Sequence, residues 1–448
     1  MAAAAIGRRA LAADDSWALH AQILKWIQAP KFPAKDFPVS KYGARPDGNT
    51  DSTAAFRKAI EEAARAGGGR VVVSAGVYLS GPIHLKNNVN FVVEKGATIR
   101  FSTEPKDYPL VLTRFEGLEC MNYSPLIYAI DQTNVAVTGE GTLDGQATQE
   151  HWWPWKGNAR GGWKTGTPNQ LAAREKLIAM AEDGVPVERR VFGEGGCLRP
   201  MFVQPYRCTN VLIEGVTITN SPMYEVHPVL CRNVTVHNVK VASHGPNNDG
   251  CDPESSRDVL IEGCTFDTGD DCIAIKSGRN ADGRRLHTPS ENIIVQNCVM
   301  KDGHGGVTMG SECSGGIRNV FVQDCRMDSP NLDRVLRFKN NAMRGGVIEH
   351  VYLRNVQAGT VAGPAIDVDF LYEEGAKGPF KPVVRDVEVV NLTCKRSQSA
   401  WSLRGLNGAP VQDIRITRCI FESAAKPSVA ENVEGLAVKD VSVNGKAV

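Results

Sequence analysis

Several common signals are missing from this 448-residue chain, and each absence narrows what it can do. No apolar run approaches the ~18 residues that a membrane-spanning helix needs, so no membrane role is expected. The 12 cysteines include no Cys-x-x-Cys pair, the spacing typical of zinc ribbons and redox sites, and no metal is expected. Neither sign of charge is in excess: 51 Lys and Arg face 50 Asp and Glu, a formal net charge of +1. A broadly basic face for nucleic acid is therefore absent, and an anionic partner must be held by locally placed cations. The composition, 42% hydrophobic and 23% charged, belongs to a globular protein without disorder-like bias.

Residues 1–15 close on Ala10-Leu11-Ala12-Ala13, which resembles the small-residue end of an export signal. Arg8 and Arg9 stand where the apolar core of such a signal belongs. The segment reads either as a trimmed signal remnant or as an ordinary leader, with secreted or periplasmic location as the expectation. Residues 1–34 are set apart from a single catalytic domain over 35–448, and Trp17, Ile23, Leu24 and Ile27 form an amphipathic stretch within that leader. This stretch is expected beside the N-terminal cap or against the outside of the domain.

What is present is a repeat. Asn or Asp is followed by apolar residues at the first and third positions, a polar pair and another apolar residue. The pattern opens at Asn210, Asn233, Asp258, Asn292, Asn319, His350, Asp386, Asp413 and Asp440, with an earlier copy at Asn134 and a looser one at Asn88. Successive starts from Asn210 onward lie 23 to 36 residues apart. Alternating short strands at this period describe the coils of a parallel β-helix, stacked about 4.8 Å apart. The fold class is therefore all-β, with the Asn and Asp residues forming a turn ladder.

Cys264, Cys298, Cys325 and Cys419 share one register with Val216, Val239, Val356 and Leu392. Exchange among Cys, Val and Leu marks these thiols as core filler. Cys208 and Cys231 share another register, and stacking one coil apart puts them within reach of a disulfide. A solenoid also needs covered ends. Residues 51–64 predict a helix with Asp51 as N-cap and Phe56, Ile60, Ala63 and Ala64 on one capping face. An insertion over 144–200 interrupts the repeat and carries Trp152, Trp153, Trp155 and Trp163, then a helical stretch over 169–182. Its indoles are either sugar-stacking platforms or the packing of the insertion against the solenoid, and packing is favoured.

The register brings polar residues together. Ile273 and Ile275 match Val307 and Met309, then Leu336 and Phe338, all pointing inward. Alternation sends Asp270, Ala274 and Lys276, His304 and Thr308, and Arg337 and Lys339 outward to solvent. Asp249 falls beside Asp271 one coil away, each where a strand begins next to glycine. Three crowded carboxylates tend to retain one proton near neutral pH, and an acid beside ionised bases is what glycoside hydrolysis requires. Arg337 and Lys339 project the same way, a planar fork beside a point charge suited to a substrate carboxylate. Singly, an Asp-Asp pair or a Gly-His-Gly is a solvated turn and Arg-x-Lys an exposed face; their coincidence on one stripe favours a site.

These motifs resemble family 28 glycoside hydrolases, the polygalacturonase family of right-handed parallel β-helix (pectin-lyase-like) enzymes. Asn247-Asn248-Asp249, Asp270-Asp271, Gly303-His304-Gly305 and Arg337-Phe338-Lys339 match its four motifs in order and spacing. The resemblance runs from about Lys35 to the end and is weakest over 144–200. It implies hydrolysis of α-1,4-galacturonosyl bonds by an inverting mechanism on an acidic polysaccharide, without a cofactor. Asp270 is implied as general acid, Asp249 and Asp271 as water activators and His304 as the group tuning the acid. Arg337 and Lys339 are implied to bind galacturonate, with Lys276 and Tyr372 as further substrate contacts. Asn248 and Phe338 depart from the usual Thr and Ile, at positions expected to stay clear of the chemistry. The stretches at 269–278 and 309–312 are closer to bacterial exo-acting members, and the insertion is suited to blocking one end of a cleft. Open alternatives are a rhamnogalacturonan or xylogalacturonan hydrolase, a Ca²⁺-dependent pectate lyase, and a non-catalytic polysaccharide-binding solenoid. The sequence places no constraint on oligomeric state.

Overall fold

The Asn or Asp that opens each repeat stands in the left-handed region of backbone space. In the computed structural model, which describes residues 13–448, φ is +55° at Asn134, +58° at Asn210, +56° at Asn233 and +58° at Asp258. Asn and Asp enter this region more readily than other residues bearing a side chain, which explains the recurrence. Their amides also stack. Asn134 donates to Asn88, Asn210 to Asn134 and Asn233 to Asn210, each at 2.8 Å. At about 1 kcal/mol net per bond, the ladder sets register more than it supplies bulk stability. His350 holds the same turn position at φ +57°, secured by Asp386 at 2.6 Å from its Nδ1.

The strands after these turns pair in parallel with their counterparts one coil on. Val211 and Ile213 lie beside Val234 and Val236, and those beside Val259 and Ile261, all buried in the lumen. A second strand of each coil continues past a bend, as Thr217–Thr219 does against Lys240–Ser243. A third set runs Ile273–Ile275, Val307–Met309, Leu336–Lys339, Pro364–Asp369, Ser399–Arg404 and Val429–Glu431, forming a separate parallel sheet. The chain is a parallel β-helix.

Cys264, Cys298, Cys325 and Cys419 are buried within it beside Val216, Val239, Val356 and Leu392, as core filler. Cys208 and Cys231 form no disulfide. Their sulfurs lie in a stacked row near backbone carbonyls, Cys208 Sγ 3.4 Å from Tyr206 O and Cys231 Sγ 3.3 Å from Val229 O. Sharing a register stacks the two thiols, and Cys208 N donates to Cys231 Sγ at 3.4 Å.

Helix α1 (Ala13–Trp26) lies on the outside of the coils. Ile23 and Ile27 pack on Leu260, Ile294, Phe321 and Tyr352, one residue from each of four successive coils. The chain after it docks on the turn ladder, where Asn233 Nδ2 donates to Gln28 O at 2.8 Å. Helix α2 (Thr53–Arg65) covers the first coil, with Phe56 edge-on to Phe91 at 5.8 Å. Ser52 rather than Asp51 takes the N-cap position, but the Asp51 carboxylate still accepts the Thr53 N–H at 2.9 Å. Residues 1–12, most of the segment read as a signal remnant, lie outside the described residues. Among the described residues no helix is long and apolar enough to cross a membrane.

Two excursions leave the coils on the same side. One is an antiparallel hairpin, Leu110–Phe115 with Leu118–Tyr123. The other is the 144–200 insertion, whose helix α3 spans Leu171–Glu182. Phe115, Leu118 and Cys120 of the hairpin pack with Leu177 and Ala181 of α3 and with Met223 and Tyr224 of the coils. The indoles serve this docking: Trp152 is buried against Tyr108 and Trp155, and Trp153 Nε1 donates to Ser221 O at 2.8 Å.

Candidate active site

Register places the chemistry. Cys251 bridges to Ile273, and Ile273 pairs with Val307, so Asp249 is level with Asp271, and Asp270 with His304. On the next coil Thr308 pairs with Arg337. Ile273, Ile275, Val307, Met309, Leu336 and Phe338 fill the lumen, and the residues between them point away from it. Away from the lumen is not into solvent, however. Ala274 and Thr308 are fully buried and Lys276 nearly so, because covering residues lie over this face. The Tyr224 ring, for one, sits 4.8 Å from Lys276 Nζ.

Each carboxylate has its own partners. Asp270 Oδ1 accepts the backbone N–H of Asp271 at 3.0 Å and meets His304 Nδ1 at 3.0 Å. Asp271 is wholly enclosed: Oδ1 accepts from Thr308 Oγ1 at 2.9 Å and Arg337 Nη1 at 3.5 Å, and Oδ2 from Lys339 Nζ at 2.7 Å. Asp249 Oδ2 accepts from Lys276 Nζ at 3.3 Å. The same ammonium lies 3.3 Å from Glu312 and 3.6 Å from Asp252. Side-chain exposure separates the three, at 19% for Asp270, 3% for Asp249 and 0% for Asp271.

The backbone is fitted to this crowding. A Cβ on Gly305 would stand 2.3 Å from Thr308 Oγ1 and 3.0 Å from Asp271 Oδ1, so only glycine lets the His304 turn approach. Asn248 spends its amide on the turn, donating to Ser221 O and Met223 O at 3.0 Å and accepting from Ser243 Oγ and Gly245 N. Phe338 is lumen core. The two departures from the family motifs thus stay clear of the acids. Arg199 Nη2 donates to Asn247 Oδ1 at 2.7 Å, bracing the same turn from the insertion.

A cavity of about 300 Å³ opens over these residues. Asp249, Asp270, Lys276, His304, Arg337, Lys339 and Tyr372 line it, and Asp271 lies just beneath. The Tyr372 ring covers the cation pair, 5.8 Å from the Arg337 guanidinium and 5.4 Å from Lys339 Nζ.

A family model for glycosyl hydrolases family 28 matches residues 193–442, more than half of the chain. The chain belongs to that family. A second model, rhamnogalacturonase A/epimerase, pectate lyase-like, matches residues 37–104. Among solved structures, a hyperthermoactive exopolygalacturonase from Thermotoga maritima is 47% identical with a TM-score of 0.94, covering 96% of each chain. A probable polygalacturonase of Vitis vinifera is 26% identical over 88% of this chain and 77% of its own length. An exo-poly-alpha-D-galacturonosidase of Dickeya chrysanthemi is 26% identical over 86% of this chain and 66% of its own.

In this family 28 glycoside hydrolase, environment splits the carboxyls. Burial, reinforced by the charge of Asp270, raises Asp249 to about 7. Burial also acts on Asp270, but the hydrogen bond and charge of His304, then Lys339 and Lys276, outweigh it and hold that carboxyl well below its usual range. The same bond raises His304. Burial of Asp271 is likewise overcome by Lys339 and Arg337, which keep it ionised. The environment thus favours the protonated form at Asp249 and the ionised form at Asp270. Oxygens of the three acids lie within 4.8 Å of one another, close enough to share a cation. Lys276, Lys339 and Arg337 bring positive groups to the same spot.

The cavity has further walls that the motifs do not reveal. Lys156, Asn158, Arg160 and Arg174 reach it from the insertion and Glu116 from the hairpin. None belongs to the repeat, so no register marks them. Glu312 completes the Lys276 group, and only its place just after Met309-Gly-Ser hinted at it. The tryptophans of the insertion do not line the cavity.

Proposed function

We propose that this family 28 enzyme hydrolyses α-1,4-galacturonosyl bonds of polygalacturonate, cutting from a chain end with inversion at the anomeric carbon. The observation that carries the reading is the company Asp270 keeps. It is the most exposed of the three carboxylates, and it shares the cavity with Arg337 and Lys339, which are suited to a sugar carboxylate. The polygalacturonase names of the relatives support the same substrate. A polymer of this kind places the enzyme's work in the periplasm or outside the cell.

The acid step follows from the His304–Asp270 bond, which holds one proton between two heavy atoms 3.0 Å apart. In water the charged arrangement is favoured. A sugar that fills the cavity removes that water, and burial favours the neutral form, imidazole beside carboxylic acid. Asp270 then protonates the leaving oxygen. Asp249, near 7, is poised to accept a proton from the attacking water, and Asp271 completes the water's seat. Lys276 serves Asp249 rather than the substrate, because its ammonium is enclosed by three carboxylates.

Inverting enzymes ordinarily separate their carboxyls by about 6.5–9.5 Å, wider than the spacing here. The engagement of the two buried acids supports inversion instead. Both oxygens of Asp271 are bound by Thr308, Arg337 and Lys339, and Asp249 is buried against Lys276, so neither is presented as a free nucleophile. Water attacks directly, and the first product is the β anomer. Proton NMR in the first minutes of digestion checks this, and early accumulation of the α anomer would refute it.

Exo action rests on the insertion closing the cavity with Lys156, Arg160 and Arg174. Digestion of polygalacturonate is expected to release short products at once while mean polymer length falls slowly. A ladder of mixed oligomers from the earliest time points would sink this part of the reading.

A further inference from the structure

At the tip of the 110–123 hairpin, Glu116 adopts φ +46° and Gly117 φ +81°. The tip is driven into the coils. Arg279 N donates to Gly117 O at 3.0 Å, and a Cβ on Gly117 would fall 2.7 Å from Glu312 Cγ and 2.8 Å from Arg279 N. The Glu116 side chain is 8% exposed and borders the catalytic cavity. Its Oε2 accepts from Arg174 Nε at 2.5 Å and from Arg279 Nη1 at 3.5 Å, and its Oε1 lies 3.9 Å from Lys156 Nζ. Arg174 and Lys156 belong to the insertion, whereas Arg279 belongs to the coils and also stands 3.6 Å from Glu312. Glu312 in turn holds Lys276, the partner of Asp249.

One carboxylate therefore ties three separate parts of the chain together at the closed end of the cleft. We propose that Glu116 is a positioning residue for exo specificity, holding Arg174 and Lys156 of the insertion as the wall that binds the carboxylate of a terminal galacturonate. This rests on the exo reading above. The geometry suits the task in two respects. Arg174 and Lys156 keep about a quarter of their side-chain surface exposed, enough to meet a ligand, while Arg279 behind them is buried. Arg279 is also matched by Glu312, Glu373 and Glu374, whereas on the insertion side Glu116 faces both Arg174 and Lys156, and Arg160 at the same wall makes no ion pair among the described residues. An incoming carboxylate would meet these insertion cations. Burial works against a charged Glu116, but the charges of Arg174, Lys156 and Arg279 outweigh it and keep it ionised.

The test compares wild type with Glu116→Gln and with the double variant Arg174→Gln/Lys156→Gln. KM and kcat on trigalacturonate are measured, together with the size distribution of products from polygalacturonate. Charge-assisted contacts of this kind predict a rise in KM of about tenfold or more in both variants, with a smaller change in kcat and longer products among the first released. A general loss of folding would instead lower the active fraction and leave KM alone. Should Glu116→Gln fail to fold, the double variant decides, because it leaves the Glu116–Arg279 contact in place. Wild-type KM and products in the double variant, or in a folded Glu116→Gln, overturn the proposal. Mixed oligomers from the wild type itself overturn the exo reading and this one with it.

Discussion

Asp270→Asn is expected to lower kcat on polygalacturonate by a factor of about 10² or more, the usual size of an acid-catalysis contribution, while leaving the fold intact. The side chain is partly exposed, and an amide oxygen still accepts the Asp271 N–H that the carboxylate accepts at 3.0 Å. What disappears is the group that passes a proton outward and the charge that raises His304. The imidazole pKa should then fall back toward its ordinary value, a shift that NMR reads independently of turnover. Turnover within a few-fold of wild type would sink the assignment. Asp249→Asn separates the roles: if it abolishes activity while Asp270→Asn does not, the resting proton on Asp249 is the catalytic one and the acid has been misplaced.

The second large effect is on stability. Lys276→Met removes a buried ammonium that lies within 3.6 Å of Asp249, Asp252 and Glu312. Methionine matches the stem but leaves those carboxylates without their shared counter-charge. Breaking a buried pair from one side typically costs about 3–5 kcal/mol, and urea unfolding at neutral pH measures it. Lys276 also lowers Asp249, so its loss raises that carboxyl further and moves the acid limb of kcat/KM to higher pH. The sign for stability follows from the same group. Asp249 stands at about 7 in the folded chain against 3.8 unfolded, so its favourable contribution is complete at low pH and is lost as pH rises toward 7. A variant of unchanged stability and unshifted acid limb would show that the lysine is not the counter-charge described.

The coils were readable in advance because one residue type must enter the left-handed turn at every repeat. Asn134, Asn210 and Asn233 are visible in the sequence for the reason they are needed in the fold. That same register carried Asp249 to Asp271 and Asp270 to His304 across gaps no local motif spans. Where the register stops, foresight stops. Glu116, Lys156 and Arg174 come from a hairpin and an insertion with no period, and their meeting at one point is a tertiary event. Alternation assigns Lys276 and Thr308 to the outer face, but it cannot see what lies over that face. Crowding foretells that one carboxyl keeps a proton. Which one depends on His304 and Lys339 reaching Asp270 while burial dominates at Asp249, and such a contest is settled by distances.

Helix α1 bears on how the molecule comes apart. In a stack of coils each unit touches only its neighbours, so a solenoid tends to fray from an end one turn at a time. Here Ile23 and Ile27 rest on side chains from four successive coils at once. Peeling any one of these coils away also disturbs the seat of the helix on the other three. A chain of nearest-neighbour contacts thereby gains a longer-range coupling, and the middle of the array, where the acids lie, gives way together rather than in steps.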